Sequence, residues 1–185
     1  MATEGQTAPQ DLGRPLPEFR LSTVDGQQIV DTHSLAQAVA VVMFICNHCP
    51  YVKAIEDRMI ALYRQYQGRG VAFVGICSND EQSYPDDAPA ALAARARDKG
   101  YGFPYLHDPT QQVARDFGAV CTPEFFVYDQ QSRLCYRGRM DDSWKDPTRV
   151  RSRELAAAIE AACNGQPPLP VQRPALGCSI KWRDA

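Results

Sequence analysis

Two cysteines separated by two residues carry the clearest chemical signal in the chain. They lie in the stretch VMFICNHCPYVKAIEDRM, residues 42–59, as Cys46 and Cys49 with His48 between them. Thiols at this spacing can exchange disulfides, bind a metal ion or pack inertly. The neighbouring elements help to separate these alternatives.

The flanking residues predict a strand before the cysteines and a helix after them. The run VAVVMFI, residues 39–45, is continuously apolar, as in a strand of a parallel sheet that is buried on both faces. Apolar positions then recur at helical spacing over residues 50–68, and Pro50 suits the first helical turn. A second buried strand, VAFVGIC at 71–77, completes a βαβ unit.

The other element signals predict a mixed sheet with helices on both faces. An Asp-Gly pair within EFRLSTVDGQQIV predicts a hairpin before the core, and FFVYD and RLCYRG predict a later one. Helices are predicted at residues 90–99, at 109–117 behind a capping box formed by Asp108 and Gln111, and at 149–162. The segment YLH predicts a short strand, and Asp86 and Asp87 are predicted to cap a helix. The Pro-rich segment GQPPLPVQRPALG is predicted to run over the surface.

A Cys-x-x-Cys after a buried strand, combined with CTPEFF before a hairpin, is typical of the thioredoxin-like active site. In that fold a cis-proline faces the dithiol, and Pro123, preceded by Thr122, occupies the matching place. The predicted fold is α/β and thioredoxin-like, with a mixed central sheet flanked by helices, an N-terminal hairpin and a Pro-rich C-terminal tail. We expect a flexible segment at 1–14, the thioredoxin-like domain at 15–165 and a C-terminal extension packed on it at 166–185.

Six segments together carry a family resemblance: CNHCPYV, SNDEQSYPDDAP, GYGFPYLHD, TPEFFVYD, YRGRMDD and GCSIKW. With them the sequence, from about Leu16 to Trp182, resembles a bacterial peroxiredoxin-like group of the thioredoxin superfamily. That group is related to alkyl hydroperoxide reductase and thiol-specific antioxidant proteins. The resemblance implies a redox-active thiol protein and does not supply its reaction.

Physical chemistry assigns roles to the site residues. Cys46 lies just ahead of the predicted helix, where free N–H groups and the helix dipole favour a thiolate, so we predict that it is the nucleophile. Cys49, one turn further on, is predicted to resolve the mixed disulfide, and His48 to tune the thiolate. Thr122 and Pro123 are predicted to present their backbone to an extended substrate thiol segment.

The predicted function is thiol–disulfide oxidoreduction, with weak peroxide-reducing (antioxidant) activity. The partners would be protein or small-molecule thiols and disulfides and a cellular thiol reductant. No cofactor and no metal is predicted.

Three alternatives stay open. A structural zinc needs about four ligands and usually a second Cys/His pair, which the sequence lacks, but a Cu(I) site with Cys46, Cys49 and a distant His remains. A true thiol peroxidase would carry Pro-x-x-x-Thr-x-x-Cys, whereas residues 42–45 are Val, Met, Phe and Ile. An interaction protein with a vestigial dithiol would show a Cys46 pKa near the ordinary ~8.5.

The other five cysteines divide into two groups. Cys121, two residues before Pro123, is a candidate third redox thiol. Cys178, in ALGCSIKW, is another, because a docked tail could bring it to Cys121 or to the active pair. Cys77, Cys135 and Cys163 are predicted to be inert residues of the core.

Composition limits partners and location. The net charge is −2 with no long run of Lys or Arg, so we expect neither nucleic acid nor membrane as a partner. The first residues have no basic start or apolar h-region, and no apolar segment approaches the roughly 18 residues of a membrane span. Seven cysteines, an odd number, do not fit a secreted disulfide framework. We therefore expect a cytoplasmic protein.

Overall fold

The chain forms a five-stranded mixed sheet covered by helices, seen in a computed structural model that describes residues 2–5 and 11–183. The elements in chain order are β1 (Ala2–Glu4), β2 (Arg20–Ser22), β3 (Ile29–Asp31), β4 (Val39–Phe44), α1 (Pro50–Tyr66), β5 (Val71–Cys77), α2 (Pro89–Lys99), β6 (Tyr105–His107), α3 (Gln112–Phe117), β7 (Cys121–Thr122), β8 (Glu124–Tyr128), β9 (Leu134–Gly138), α4 (Glu154–Cys163) and β10 (Leu176–Ser179). The central sheet has the order β6-β5-β4-β8-β9. Strands β4, β5 and β6 are parallel, β8 is antiparallel to β4, and β9 is antiparallel to β8 and so runs in the direction of β4. The predicted mixed sheet, the βαβ unit and both hairpins are confirmed.

Strand β4 is central because it is apolar on both faces. Val39, Val41 and Met43 pack into a core with α1 and α4, whereas Ala40 and Val42 pack on the other side with α3 and the β2–β3 hairpin. Successive side chains of a strand point to opposite faces, so a continuous apolar run fills two cores at once. The strand is thereby fixed between two layers, and its carboxyl end, which leads to Cys46, is held in place.

Two predicted helix starts are wrong, each because a side chain has a tertiary partner. Helix α3 begins at Gln112 rather than at 109: the Asp108 carboxylate turns inward and accepts hydrogen bonds from the Ser78 hydroxyl (2.8 Å) and the Ala114 N–H (3.1 Å). Gln111 closes no capping box, since its amide donates to the carbonyls of Ser78 and Lys181, both at 2.7 Å.

Helix α4 begins at Glu154 rather than at 149. Residues Pro147–Arg149 form a separate 3-10 turn capped by Asp146, whose carboxylate accepts from the Thr148 N–H. The following residues are held to the preceding loop, because the Arg151 N–H donates to the Asp142 carboxylate at 2.9 Å.

A second, three-stranded sheet was not predicted. Its order is β1-β10-β7, all antiparallel, so it joins both ends of the chain to the short strand before Pro123. Ala2–Glu4, in the segment expected to be flexible, pairs with Leu176–Cys178 of the tail. Residues 6–10 of that segment and 184–185 of the tail lie outside the described residues, and the division at 14 and 165 stays a prediction. No helix in the described part of the chain has the length and apolarity required to cross a membrane.

A buried ion pair anchors β7 to the central sheet. Glu124 at the start of β8 is fully buried and accepts from the Arg137 guanidinium at 2.8 Å. Its other oxygen accepts from the Val120 N–H at 2.9 Å and the Cys121 N–H at 3.4 Å. Burial raises the pKa of the Glu124 carboxyl, and the Arg137 charge opposes that rise. Glu124 therefore fixes the backbone that leads into Thr122.

We expect Arg137→Met to lower the free energy of unfolding by about 3–5 kcal/mol at neutral pH, because it leaves a buried carboxylate without its partner. A group with a raised folded pKa costs stability once the pH rises through that pKa, so the loss should shrink as acid protonates Glu124. Urea unfolding followed by circular dichroism measures both effects. The exposed Arg133→Met is the matched control, and equal losses in the two variants at every pH would contradict the assignment.

Candidate active site

Cys46 and Cys49 lie between the carboxyl end of β4 and the start of α1, opposite Thr122 and Pro123. The Thr122–Pro123 peptide bond is cis, as expected for the proline that faces the dithiol. The Cys46 sulfur is 3.2 Å from the Thr122 hydroxyl oxygen, and the Cys49 sulfur is 3.1 Å from the Thr122 carbonyl oxygen, to which Cys49 donates when it is a neutral thiol. The structure thus brings together four of the residues that the sequence singled out.

The order of charges in the pair differs from the prediction. Helix α1 begins at Pro50, so Cys49 is its N-cap residue, and Cys46 lies three residues before Cys49. A hydrogen bond from the Cys46 thiol lowers the pKa of Cys49 to about 5 against the effect of burial, with further help from the Cys178 thiol and the Val52 N–H. Burial, the hydrogen bond with Cys49 and the nearby Asp87 charge raise the pKa of Cys46 well above the ordinary thiol value. These shifts favour a thiolate at Cys49 over one at Cys46, and the role of Cys46 as nucleophile stays a prediction.

His48 is held by a carboxylate that the sequence analysis assigned to another role. Its Nδ1 atom is 2.5 Å from the Asp87 carboxylate, and its ring stacks on Tyr84 with centroids 4.9 Å apart. Asp87 also accepts from the backbone N–H groups of Asn47 (2.7 Å) and His48 (3.2 Å) and from the Asn79 amide (2.8 Å).

Asp87 is thus a buried residue of the site and not the predicted helix cap. The N-cap residue of α2 is Ala88, which makes no side-chain capping bond. Burial alone would raise the pKa of the Asp87 carboxyl, but the hydrogen bonds from His48 and Asn79 hold it below its usual value. The prediction came from the sequence Pro-Asp-Asp before a helix. Capping rules consider only neighbouring residues and therefore assign such an aspartate to the helix terminus.

Cys46, His48 and Asp87 each offer one atom of a compact group whose members lie within 4.8 Å of one another. A thiolate, an imidazole and a carboxylate are all metal ligands, so these three residues are the ones that could hold an ion. The expected copper alternative used Cys46, Cys49 and a distant histidine, whereas this group uses the histidine between the cysteines.

The two additional redox candidates differ sharply in their surroundings. Cys121 is fully buried and burial raises its pKa well above the ordinary thiol value, whereas Cys178 is half-buried and its pKa is raised to about 11 by burial and by the nearby Cys49 thiol. Of the cysteines predicted to be inert, Cys77 and Cys135 are buried and Cys163 is half-buried. All seven cysteines fall within the described residues and are free thiols.

The backbone predicted to receive substrate is already paired. Thr122 lies opposite Cys178 in the register of β7 with β10, so the tail occupies that strand edge. Beside it, Pro123 lines a cleft of about 340 Å³ whose apolar wall includes Met140, Trp144 and Leu176. The Tyr51 ring packs on Trp144 with centroids 4.2 Å apart.

Comparison with known proteins places these features in a family. A curated relative, the thiol:disulfide interchange protein DsbE of Allochromatium vinosum, is 29% identical over 128 residues. That match covers 67% of this chain and 64% of the relative, so the chain spans less than two thirds of the length of that protein.

Two solved structures resemble the whole chain. An uncharacterized conserved protein from Geobacillus kaustophilus is 39% identical with a TM-score of 0.92, and the superposition covers 100% of this chain and 98% of the other. A hypothetical protein from Sinorhizobium meliloti 1021 is 35% identical with a TM-score of 0.90, and covers 99% and 100%.

A more distant structure supports the predicted fold. A thiol:disulfide interchange protein of the thioredoxin family from Chlorobium tepidum TLS, at 21% identity and a TM-score of 0.65, covers 85% of this chain and 99% of its own. The thioredoxin-like fold is thereby confirmed. The model of the AhpC/TSA family matches residues 12–137, which is more than half of the chain. The protein therefore belongs to the AhpC/TSA family.

Proposed function

We propose that the protein exchanges disulfides with protein or small-molecule thiols by forming and breaking a Cys46–Cys49 disulfide. The observation that carries the proposal is the convergence of both sulfurs on one residue, with Thr122 3.2 Å from Cys46 and 3.1 Å from Cys49. A family relationship to a thiol:disulfide interchange protein supports the same chemistry.

The charge distribution suggests the order of events. The low pKa of Cys49 favours a thiolate there, and thiolates rather than thiols attack disulfides, so we propose that Cys49 forms the mixed disulfide. Cys46 then attacks the Cys49 sulfur, closes the Cys46–Cys49 bond and releases the substrate sulfur, to which its proton passes. The Thr122 hydroxyl can donate to the charge that develops on Cys46. These roles reverse those predicted from the sequence.

The low pKa of Cys49 also bears on the direction of exchange. A stabilised thiolate favours the reduced pair, which makes the disulfide the stronger oxidant. Known relatives span about −270 to −120 mV, and we place this protein within that range. The cleft beside Pro123 is the proposed contact surface for a protein substrate, and the proposed location remains the cytoplasm.

Metal binding at Cys46, His48 and Asp87 is the second candidate, supported by their compact grouping. Asp87, however, already accepts four hydrogen bonds, from two backbone N–H groups, His48 and Asn79. An ion would have to replace the contact between His48 and Asp87, so we rank this candidate lower. Metal analysis of protein loaded with Zn²⁺ or Cu⁺, before and after His48→Gln, separates it from disulfide exchange.

Weak peroxide reduction is proposed as a side activity. The peroxidase pattern is missing before the cysteines, but the structure supplies a threonine hydroxyl, that of Thr122, from another segment. Peroxide would oxidise the Cys49 thiolate to a sulfenic acid, and Cys46 would condense with it to the same disulfide, releasing water.

We expect reversible formation of one intramolecular disulfide, Cys46–Cys49, when the metal-free protein is equilibrated in glutathione buffers of known ratio. Peptide mapping after alkylation follows each cysteine, and the midpoint should fall between about −270 and −120 mV. Cys46→Ser and Cys49→Ser should each abolish the bond, whereas Cys163→Ser, a half-buried thiol at the end of α4, should leave the midpoint unchanged. A pair that stays reduced throughout the range would refute the proposal.

The second prediction concerns which cysteine is charged. The ultraviolet absorbance of the thiolate, followed against pH, should rise with a midpoint of about 5 in the wild-type protein. Cys49→Ser should remove this acidic step, and Cys46→Ala should move it upward, because it removes the thiol that donates to the Cys49 sulfur. Retention of the step in Cys49→Ser with its loss in Cys46→Ala would restore the order predicted from the sequence.

A further inference from the structure

The active pair is enclosed on the side from which a substrate would approach. Cys46 is 2% exposed and Cys49 is fully buried, so neither sulfur is open to a second protein. Strand β10 of the tail is paired along β7, which is the backbone edge next to the pair. Exchange with an outside thiol therefore requires either removal of this strand or a thiol that connects the pair to solvent.

Cys178 is placed to make that connection. It lies directly opposite Thr122, the residue that contacts both active sulfurs, and opposed residues of antiparallel strands point to the same face. Its sulfur is near enough to that of Cys49 for each thiol to shift the pKa of the other, and Cys178 remains half-buried where the pair is enclosed. Cys121, by contrast, is adjacent to Thr122 in the same strand and points to the other face.

Strand β10 is paired on both sides, which fixes the register that places Cys178 opposite Thr122. Ala2 of β1 lies opposite Cys178 on the far edge, and the Ile180 N–H donates to the Val120 carbonyl at 3.0 Å. Beyond the strand, the Lys181 N–H donates to the Asn79 side chain at 2.8 Å. Gly177 allows the close approach, because a Cβ there would lie 2.0 Å from the Thr122 carbonyl oxygen.

We propose that Cys178 is a third exchange thiol, which passes the disulfide between outside thiols and Cys49 through a Cys49–Cys178 bond. The inference rests on the proposed function of the pair. It assigns to the tail a positive role in exchange, and it names Cys49 as the partner of Cys178.

The steps balance in the oxidising direction with glutathione disulfide as the oxidant. Cys178 attacks it, giving its proton to the hydrogen-bonded Cys49 thiolate, and a Cys178–glutathione bond replaces the glutathione disulfide. The departing glutathione takes the proton from Cys49. The restored Cys49 thiolate attacks the Cys178 sulfur, forming Cys49–Cys178 and expelling the second glutathione as its thiolate. Cys46 attacks Cys49, the Cys46–Cys49 bond forms, and the Cys46 proton returns to Cys178.

The test compares wild-type protein with Cys178→Ser and Cys163→Ser after brief exposure to less than one equivalent of glutathione disulfide, with acid quenching and tryptic mapping. Cys163 and Cys178 share the tryptic fragment 154–181, because the bond between Arg173 and Pro174 resists trypsin. In Cys163→Ser, a cross-link between this fragment and the fragment 21–53, which holds Cys46 and Cys49, can therefore come only from Cys178. Tandem mass spectrometry that cleaves the linked peptide between Cys46 and Cys49 then identifies which of the two is bound.

We expect a transient Cys49–Cys178 link in wild-type protein and in Cys163→Ser. In Cys178→Ser, oxidation of the pair should be about tenfold slower or more, because glutathione must then reach enclosed sulfurs. Wild-type rates in Cys178→Ser, or a link from Cys178 to Cys46 or Cys121 in place of Cys49, would overturn the relay. If the Cys46–Cys49 bond still forms in Cys178→Ser, the proposed function stands, whereas its absence from every protein would remove both proposals.

Gly177→Ala provides an independent check without changing a thiol. The new Cβ cannot fit against Thr122, so β10 should separate from β7 and the Cys49–Cys178 link should fall at least several-fold. Circular dichroism establishes that the central fold is retained. An undiminished link in this variant would show that strand pairing does not position Cys178, contrary to the proposal.

Discussion

Thr122 contacts both active sulfurs at once, through two different atoms, and much of the surrounding structure serves to hold it there. Its hydroxyl faces Cys46 and its carbonyl accepts from Cys49. The residues before it are fixed by the buried Glu124 carboxylate, and Glu124 is in turn fixed by Arg137. A shift of this short strand would therefore disturb the pair and the docked tail together.

The distribution of negative charge follows from the same enclosure. The proposed Cys49 thiolate and the Asp87 carboxylate are two buried anions of one site, and each has its own hydrogen-bond donors. Asp87 receives N–H groups of the loop between the cysteines, whereas Cys49 receives the Cys46 and Cys178 thiols and the Val52 N–H of α1. Cys46 lies near Asp87 and is kept neutral in part by that charge.

Local patterns in the sequence were sufficient for the framework of the site. The apolar run of β4, the periodicity of α1 and the turn signals of the hairpins each lie within a few neighbouring residues, and so does Pro123 before β8. Asp87 was misassigned because a carboxylate before a helix satisfies a local capping rule, whereas its actual partners lie in β4's exit loop and after β5. The charge order that the pKa shifts favour could not be inferred from local pattern either, since it depends in part on the charge of Asp87, which comes from another segment.

The pairing of β10 could not be inferred from local pattern at all. Leu176–Ser179 follows a Pro-rich segment and has no alternating apolar signal, and its partners are contributed by Ala2–Glu4 and Cys121–Thr122. The sequence did contain the adjacent residues Gly177 and Cys178. Their roles become clear only from their position beside Thr122 in the structure. Gly177 lets the tail approach the Thr122 carbonyl, which Cys49 contacts. Cys178, the next residue, is thereby placed with its side chain beside the active pair. The contact that encloses the dithiol is therefore the same contact that brings a third thiol to it, so protection from solvent and access to solvent are properties of one strand.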